Sequence, residues 1–213
     1  KVRDLATRKN IVLIFDECSS GFRETYGGIF QKYNVIPDMA MFGKTLGNGY
    51  AITAVVGKRA VMEEAQSTFI SSTFWTERIG PTAAIATLKI MEREKSWEKI
   101  TNIGKKISTI WERLSKKHQL PIVIFGLPAL IKMRFECPQN LEYKTLITQE
   151  MLKLGYLTNN SVYVCTEHND DVLKGYEEAL DQVFSLVAEC EQGRPINELL
   201  EVEVCYKDFR RLT

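Results

Sequence analysis

Apolar and polar positions alternate in blocks that predict an α/β arrangement for the first part of the chain. Residues 11–15 (IVLIF) form an unbroken apolar run, which is typical of a strand buried on both faces beneath helices. Met39–Phe42 and Ala51–Val56 are two further strand candidates, and a helix is predicted at 58–66. A longer helix is predicted over Pro81–Arg93, because the first turn of a helix tolerates proline.

The pattern changes near residue 95, where long helices and short strands replace the first arrangement. Residues 97–117 place Ile, Trp and Leu on one helical face. The other predicted elements are strands at Ile122–Phe125, Leu130–Phe135 and Val162–Cys165, and helices at 144–153 and Asp170–Glu189. We therefore predict two domains, with residues 1–95 as the second half of an α/β domain and residues 96–213 as a small α+β domain.

Composition excludes several classes of protein. Lys+Arg 28 against Asp+Glu 27 gives a net charge of +1, whereas a nucleic-acid binder usually concentrates positive charge. No apolar run reaches the ~20 residues of a membrane span, and no signal peptide is visible. The five cysteines are scattered, which is typical of reduced thiols and predicts a cytoplasmic protein. The two histidines, His118 and His168, give little material for a metal site.

Asp16 and Lys44 each end an apolar run and lie 28 positions apart, which would place them on neighbouring strands. Such a pair suits pyridoxal phosphate (PLP), since a desolvated lysine amine can attack the cofactor's aldehyde. A buried aspartate would keep the pyridine nitrogen protonated. Spacing alone leaves open a buried salt bridge or two unrelated charges at strand ends.

Short motifs follow one another between residues 11 and 59. They are Asp16-Glu17, Gly21-Phe22-Arg23, Pro37-Asp38, Gly43-Lys44, Gly47-Asn48-Gly49 and Gly57-Lys58-Arg59. This order resembles the class III aminotransferases of PLP fold type I, and within that class glutamate semialdehyde aminomutase and related enzymes. The resemblance implies an α/β fold with part of the large domain followed by the small C-terminal α+β domain.

The resemblance also implies roles for single residues. Lys44 would form the internal aldimine with PLP and move the proton, and Asp16 would hold the pyridinium. Cys18 corresponds to the position that packs against the ring, although an ordinary small buried thiol remains an alternative. Glu17 would supply supporting hydrogen bonds. Gly43, Gly47 and Gly49 would serve the backbone rather than bind the cofactor.

Thr76 lies five residues before Pro81. By the resemblance, the threonine at this spacing reaches the cofactor phosphate of the partner subunit in a homodimer with shared active sites. The family's usual Gly-Asn-Pro is replaced here by Ile79-Gly80-Pro81, so Ser72 and Thr73 remain alternatives, as does a plain loop hydroxyl for Thr76.

Two late residues are interpreted as structural. His168 begins a segment similar to the family's lead into a C-terminal helix, with Asn169 or Asp170 as its N-cap. Arg134 is interpreted as a surface charge at a strand end rather than as a contact for a substrate carboxylate. Residues 155–175 contain no arginine of the kind that binds that carboxylate in many family members, which favours the aminomutase-like branch.

The resemblance covers about half of a family enzyme. The chain begins with Lys1, within what resembles the end of an amphipathic helix, so we expect a piece of a longer polypeptide. The phosphate cradle and the ring-stacking aromatic of the family lie upstream, and the piece alone should bind PLP poorly. The expected function is amino-group transfer between small-molecule donors and acceptors. The alternatives are a racemase or decarboxylase of the same fold, or a non-catalytic interaction module.

Overall fold

A computed structural model of the chain describes residues 1–74 and 76–206. The chain divides into two compact units, which we call unit 1 (Lys1–Lys99) and unit 2 (Ile100–Thr213). The domain boundary that we placed at residue 95 stays a prediction, and the end of that second domain, residues 207–213, lies outside the described part. None of the described helices is both long enough and apolar enough to cross a bilayer.

Unit 1 combines short helices with a three-stranded sheet in the order β1-β2-β3. Its elements are α1 (Val2–Arg8), β1 (Ile14–Asp16), α2 (Phe30–Tyr33), β2 (Met39–Phe42), β3 (Ala54–Gly57), α3 (Arg59–Met62) and α4 (Ile79–Glu94). Strand β2 has the predicted bounds, whereas the helix predicted at 58–66 is α3 followed by a 3₁₀ turn over Glu63–Ser67. The helix predicted from Pro81 begins at Ile79, so Pro81 lies in its first turn.

The sheet of unit 1 is covered on one of its two faces. Strand β1 pairs parallel to β2, and β3 pairs antiparallel to β2. Ala40 and Phe42 are buried, and Phe30 and Leu88 pack against their cluster. The prediction that residues 11–15 are buried on both faces was wrong for this chain, because Ile11, Val12 and Ile14 remain 58%, 47% and 49% exposed.

A buried carboxylate, Asp38, joins the start of this sheet to α1. Its side chain accepts hydrogen bonds from Arg3 at 2.6 Å, from Lys58 at 2.8 Å and from the backbone amide of Leu13 at 2.8 Å. These donors hold the pKa of Asp38 well below its ordinary value, the ammonium of Lys58 having the largest effect. Asp38 therefore fixes the ends of β1, β2 and β3 relative to one another.

Unit 2 is a small α+β arrangement around an antiparallel sheet in the order β4-β5-β6. Helix α5 begins in unit 1 and continues into unit 2. The elements are α5 (Ser96–His118), β4 (Ile122–Leu127), β5 (Leu130–Phe135), α6 (Asn140–Lys153), β6 (Ser161–Tyr163) and α7 (Asp170–Glu191). Helices α5 and α7 run close to the predicted spans, while α6 begins earlier than predicted.

The apolar core of unit 2 is continuous and well filled. Among the described residues it contains 23 buried apolar side chains, compared with four in the cluster of unit 1. Trp111 and Phe184 are fully buried, and the indole of Trp111 donates a hydrogen bond of 2.9 Å to the hydroxyl of Tyr176. Because buried apolar area is the main favourable contribution to folding, unit 2 has far more of that stabilisation within its own residues than unit 1.

Candidate functional site

The parallel pairing of β1 and β2 brings Asp16 and Lys44 to the same edge of the sheet. Asp16 is the last residue of β1 and lies opposite Met41 of β2, three residues before Lys44. Carboxyl ends of neighbouring parallel strands are the usual ligand-binding edge of an α/β sheet. The two residues that the sequence singled out therefore lie together where such a sheet binds ligands.

Lys44 begins a 3₁₀ turn that is separated from β2 by Gly43, and its φ is 45°. This left-handed conformation is uncommon for a residue with a side chain and commonly marks functional segments. The side chain is exposed, and its Nζ donates a hydrogen bond to Oγ of Ser19. The carbonyl of Ser19 in turn accepts a hydrogen bond of 2.7 Å from Nε of the buried Arg23.

Ser19 is a residue that the sequence analysis did not identify. Its position, three residues after Asp16 in a loop with two serines, carried no signal that distinguished it from Ser20. The structure separates them, because Ser20 donates to the buried carboxylate of Glu17 at 2.5 Å whereas Ser19 contacts Lys44. Glu17 is 1% exposed and also accepts a hydrogen bond of 3.2 Å from the amide of Phe30.

Asp16 carries a stabilised negative charge at this edge. Its Oδ1 accepts a hydrogen bond of 2.9 Å from the backbone amide of Cys18. The hydrogen bonds from the amide and the thiol of Cys18 hold the pKa of Asp16 below its ordinary value, and the charge of Lys44 acts in the same direction. We expected a buried aspartate, but Asp16 is exposed, since no described residue covers its face of β1.

Cys18 is half-buried and interacts with both Asp16 and Lys44. A methyl group on Gly43 would lie 3.5 Å from Sγ of Cys18, so the thiol packs closely against the backbone that leads into Lys44. Burial raises the pKa of the Cys18 thiol, and the neighbouring carboxylate of Asp16 raises it further. The thiol is therefore protonated at neutral pH, and its contact with the cofactor ring stays a prediction.

The glycine-dense segment after Lys44 shapes the turn. A Cβ on Gly47 would lie 2.1 Å from the carbonyl oxygen of Tyr50, so only glycine permits this close approach. Leu46 is buried in the apolar cluster of unit 1 and anchors the same turn. Gly47 therefore permits the backbone conformation of this turn, which is the kind of role that the family resemblance implies for it.

Thr76 lies in the loop that precedes α4, and its side chain is exposed. Ser72 and Thr73 are exposed in the same loop, and Oγ of Ser72 accepts a hydrogen bond of 3.2 Å from the amide of Phe74. Next to Thr76, the carboxylate of Glu77 accepts hydrogen bonds from the amides of Ile79 at 2.5 Å and Gly80 at 3.3 Å. The structure brings no described residue of the Asp16–Lys44 edge to Thr76, so its role stays a prediction.

His168 and Arg134, the two late residues that the sequence interprets as structural, lie in unit 2 together with the N-cap of α7. Oδ1 of Asn169 accepts a hydrogen bond of 3.0 Å from the amide of Val172, which confirms it as the N-cap of α7. Burial lowers the pKa of His168, and its neutral ring lines a pocket of about 460 Å³ together with uncharged residues such as Ser161. Arg134 is exposed on β5, where it pairs with Glu136 at 3.5 Å.

Comparison with known proteins gives a consistent family. The family model described as aminotransferase class-III matches residues 1–169. The 3-aminobutyryl-CoA aminotransferase of Cloacimonas acidaminovorans (strain Evry) is 35% identical in an alignment of length 194 that covers 87% of this chain and 46% of that relative. The glutamate-1-semialdehyde 2,1-aminomutase of Methanocaldococcus jannaschii is 28% identical in an alignment of length 200 that covers 86% of this chain and 47% of that enzyme.

Solved structures share the fold. The FumI protein of Sphingopyxis sp. MTA144, in its PLP internal aldimine form, superposes with a TM-score of 0.82 at 23% identity, covering 93% of this chain and 49% of that chain. An omega-transaminase from Sphaerobacter thermophilus gives 0.79 at 18% identity, with coverages of 88% and 47%.

The chain spans about half the length of the curated relatives that it matches. The match to the family model extends over unit 1 and much of unit 2, and includes both Asp16 and Lys44. With the fold of PLP-dependent transferases of fold type I, the chain belongs to the class III aminotransferases.

Proposed function

We propose that this chain supplies the lysine and aspartate of a PLP-dependent enzyme that transfers an amino group. The single observation that carries the proposal is the meeting of Asp16 and Lys44 at the carboxyl ends of two parallel strands. The substrates are a small-molecule amino donor and acceptor, and the enzyme is a homodimer with shared active sites. The five unpaired cysteines support a reducing compartment such as the cytoplasm.

The residues present fit this cofactor at its reactive end. Lys44 offers an exposed amine held by one hydroxyl, and Asp16 offers a carboxylate with a lowered pKa. When bound, PLP supplies an aldehyde that condenses with amino groups and a ring that accepts electrons. The phosphate needs further donors, because Glu77 already accepts from the first amides of α4.

Lys44 is the residue that moves the proton. Its side chain is long and exposed, so Nζ can act as a general base that takes a proton from a substrate carbon. The same group can then act as a general acid that returns the proton to a neighbouring atom. Ser19 accepts a hydrogen bond from that Nζ and so orients the amine toward the sheet edge. Arg23 fixes the backbone of Ser19 through its carbonyl.

The negative charge of Asp16 would hold a proton on the ring nitrogen of a bound PLP. A carboxylate that stays ionised at neutral pH stabilises a cationic partner, and the effect grows when water is excluded. The amide and thiol of Cys18 keep the carboxylate in place and ionised. With PLP bound, Asp16 would stabilise the cationic ring nitrogen and Lys44 would act as the base, so the two roles would fall to separate residues.

Both kinds of relative, the aminotransferase and the aminomutases, support amino transfer. Whether the reaction is a transamination or an intramolecular aminomutase reaction is a property of the complete enzyme. The 3-aminobutyryl-CoA aminotransferase and an aminomutase match similar shares of this chain, 87% and 86%. A racemase or decarboxylase would use the same lysine and aspartate, and a non-catalytic module would need neither.

The proposal predicts that Lys44 is the lysine that binds PLP covalently. The complete protein is mixed with PLP, reduced with borohydride and digested, and the pyridoxyl group is located by mass spectrometry. We expect it on Lys44, and we expect Lys44→Ala to abolish both the label and the cofactor's visible absorbance while the protein stays folded.

The matched control is Lys89→Ala, which removes an exposed lysine from α4 in the same unit. It should leave the label on Lys44 unchanged. A pyridoxyl group found mainly on another lysine, or its persistence in Lys44→Ala at the same intensity, would contradict the proposal.

A further inference from the structure

Unit 2 contains a pocket that plays no part in the proposed function. Its volume of about 460 Å³ is within the ~300–1,000 Å³ that is usual for small-molecule sites. The pocket lies where the segment between α6 and β6 meets the first turns of α7, and Ile107 of α5 and Thr148 of α6 also line it. The described residues that line it all belong to unit 2, so one compact unit forms it.

Two tyrosine rings form an ordered wall of this pocket. Tyr156 and Tyr176 meet edge to face, with 5.9 Å between their ring centroids. Tyr176 is buried, and its hydroxyl accepts the hydrogen bond of 2.9 Å from the indole of Trp111. A Cβ on Gly175 would lie 2.6 Å from the hydroxyl of Tyr156, so the glycine lets that ring lie against α7. These contacts hold the two rings in place without any ligand.

Apolar side chains that line the pocket remain accessible to solvent. Leu157 and Val172 both line it, and they are 93% and 41% exposed. A ligand that covered these side chains would remove apolar surface from water, which favours binding.

The polar groups of the described lining residues are uncharged at neutral pH. Burial lowers the pKa of His168 below its ordinary value, so its ring is neutral. Nδ1 of this ring accepts a hydrogen bond of 3.4 Å from the amide of Cys165, which places the ring hydrogen on Nε2. Oδ1 of Asn159 likewise accepts from the amide and the hydroxyl of Ser161, at 2.8 and 2.9 Å. His168 and Asn159 therefore offer N–H donors to a ligand, which would need an acceptor oxygen.

We propose that this pocket binds an uncharged small molecule with an aromatic ring and a carbonyl oxygen. The ring would pack against Tyr156 and Tyr176, and the carbonyl would accept a hydrogen bond from Nε2 of His168. An ionised ligand is disfavoured, because no described lining residue offers an opposite charge and an unpaired buried charge is costly. Since amino acids and PLP carry ionised groups, this ligand is neither substrate nor cofactor, and the pocket is a second site.

Benzamide and benzoate are a matched pair of probes for this pocket. They share the ring and have nearly the same size, but benzoate is ionised at neutral pH whereas benzamide has an uncharged carbonyl group. Binding of each probe to the complete protein is measured by saturation-transfer NMR. We expect benzamide to bind with a Kd on the order of 1 mM and benzoate to bind at least about tenfold more weakly.

Two variants locate the binding site. Val172→Trp adds a large side chain at a lining position of α7 that is 41% exposed, so it should block benzamide without disturbing the core. His168→Phe keeps a ring but removes the donor, and the loss of one hydrogen bond should weaken benzamide binding roughly two- to tenfold. The matched control Leu152→Trp changes an exposed residue of α6 outside the pocket lining, and should leave benzamide binding unchanged.

Binding of benzamide that Val172→Trp blocks, His168→Phe weakens and Leu152→Trp keeps would support the proposal. The proposal would be overturned if benzamide did not bind up to its limit of solubility, or if either pocket variant bound it as well as the unchanged protein. Binding of benzoate as tight as that of benzamide would also overturn it. The probes need neither Lys44 nor Asp16, so a failure of the PLP labelling would leave these readings unaffected.

Discussion

At the scale of single residues, the candidate site depends on the carboxylate of Asp16 and the amine of Lys44. The parallel pairing of β1 and β2 brings these two residues to the same edge of the sheet. Asp16 is held by donors from Cys18, and Lys44 is held by Ser19. The motifs around Asp16 and Lys44 predicted this pair, since each follows an apolar run. The partner Ser19 could not be predicted, because the choice between two adjacent serines is made by loop geometry rather than by residue type.

Replacing Asp16 with asparagine tests the role of its charge. Asp16→Asn keeps the size and one acceptor oxygen but removes the negative charge, so a bound cofactor would lose the group that holds its ring proton. We expect amino transfer by the complete protein to fall by more than the ~10²–10⁴-fold typical of one acid–base group. Turnover is measured with a panel of amino donors, and retained cofactor is measured by its absorbance.

The control for this substitution is Asp171→Asn in the first turn of α7, which should leave turnover close to that of the unchanged protein. Near-normal turnover of Asp16→Asn with cofactor bound would show that Asp16 is not the partner of the ring nitrogen.

At the scale of elements, the ends of the unit 1 strands are joined by charge rather than by a large core. Asp38 accepts from Arg3 of α1, from Lys58 after β3 and from the amide of Leu13 before β1. A carboxylate with a lowered folded pKa stabilises the fold above its unfolded pKa of about 3.9 and loses that effect as the pH falls toward the folded value. Acid should therefore loosen this junction.

The prediction is that protection of the Leu13 amide against hydrogen exchange falls as the pH is lowered below about 4. Protection is expressed relative to the intrinsic exchange rate at each pH. Asp38→Asn should show lower protection at neutral pH and a weaker dependence on pH, because its side chain does not titrate. Equal pH dependence in the two proteins would contradict a role for the Asp38 carboxylate at this junction.

Element boundaries were predicted best where the hydrophobic pattern and the final environment agree. Strands β2 and β5 have the predicted bounds, and both carry buried residues at alternate positions in the structure. The apolar run at residues 11–15 led to a wrong prediction. It predicts a strand with two covered faces, whereas β1 has one covered face and begins only at Ile14. The apolar run at residues 11–15 predicts cover on both faces, which the described residues do not provide. The pattern alone therefore could not define the bounds or the burial of the strand.

At the scale of the whole molecule, the predicted role of Thr76 depends on a second subunit, because its hydroxyl is expected to reach the cofactor phosphate there. Its side chain is exposed in the loop before α4. A hydroxyl that reached the phosphate of a partner subunit would link cofactor affinity to dimerisation by mass action.

We predict that Thr76→Val weakens PLP binding by the free energy of one hydrogen bond to a charged group, ~1.5–3 kcal/mol. The measurement is a mixed dimer of Thr76→Val and Lys44→Ala subunits of the complete protein. If Thr76 acts across the interface, one site of the heterodimer carries both defects and the other carries neither, so activity returns.

Ser72→Ala and Thr73→Val are the controls for the loop, and each homodimer should keep the cofactor affinity and the activity of the unchanged protein. A defect confined to the Thr76→Val homodimer, together with recovery in its mixture with Lys44→Ala, supports the cross-subunit contact. If verified heterodimers of Thr76→Val and Lys44→Ala regain no activity, Thr76 serves its own subunit or none.

The unequal cores of the two units have a thermal consequence. The heat capacity of unfolding increases with the apolar surface that unfolding exposes, and that surface is concentrated in unit 2. Unit 1 by itself contributes a small heat-capacity increment, which makes its stability curve shallow and its response to cooling or warming weak. Any partner that buries the apolar side chains of unit 1 would add its own increment and so steepen that curve.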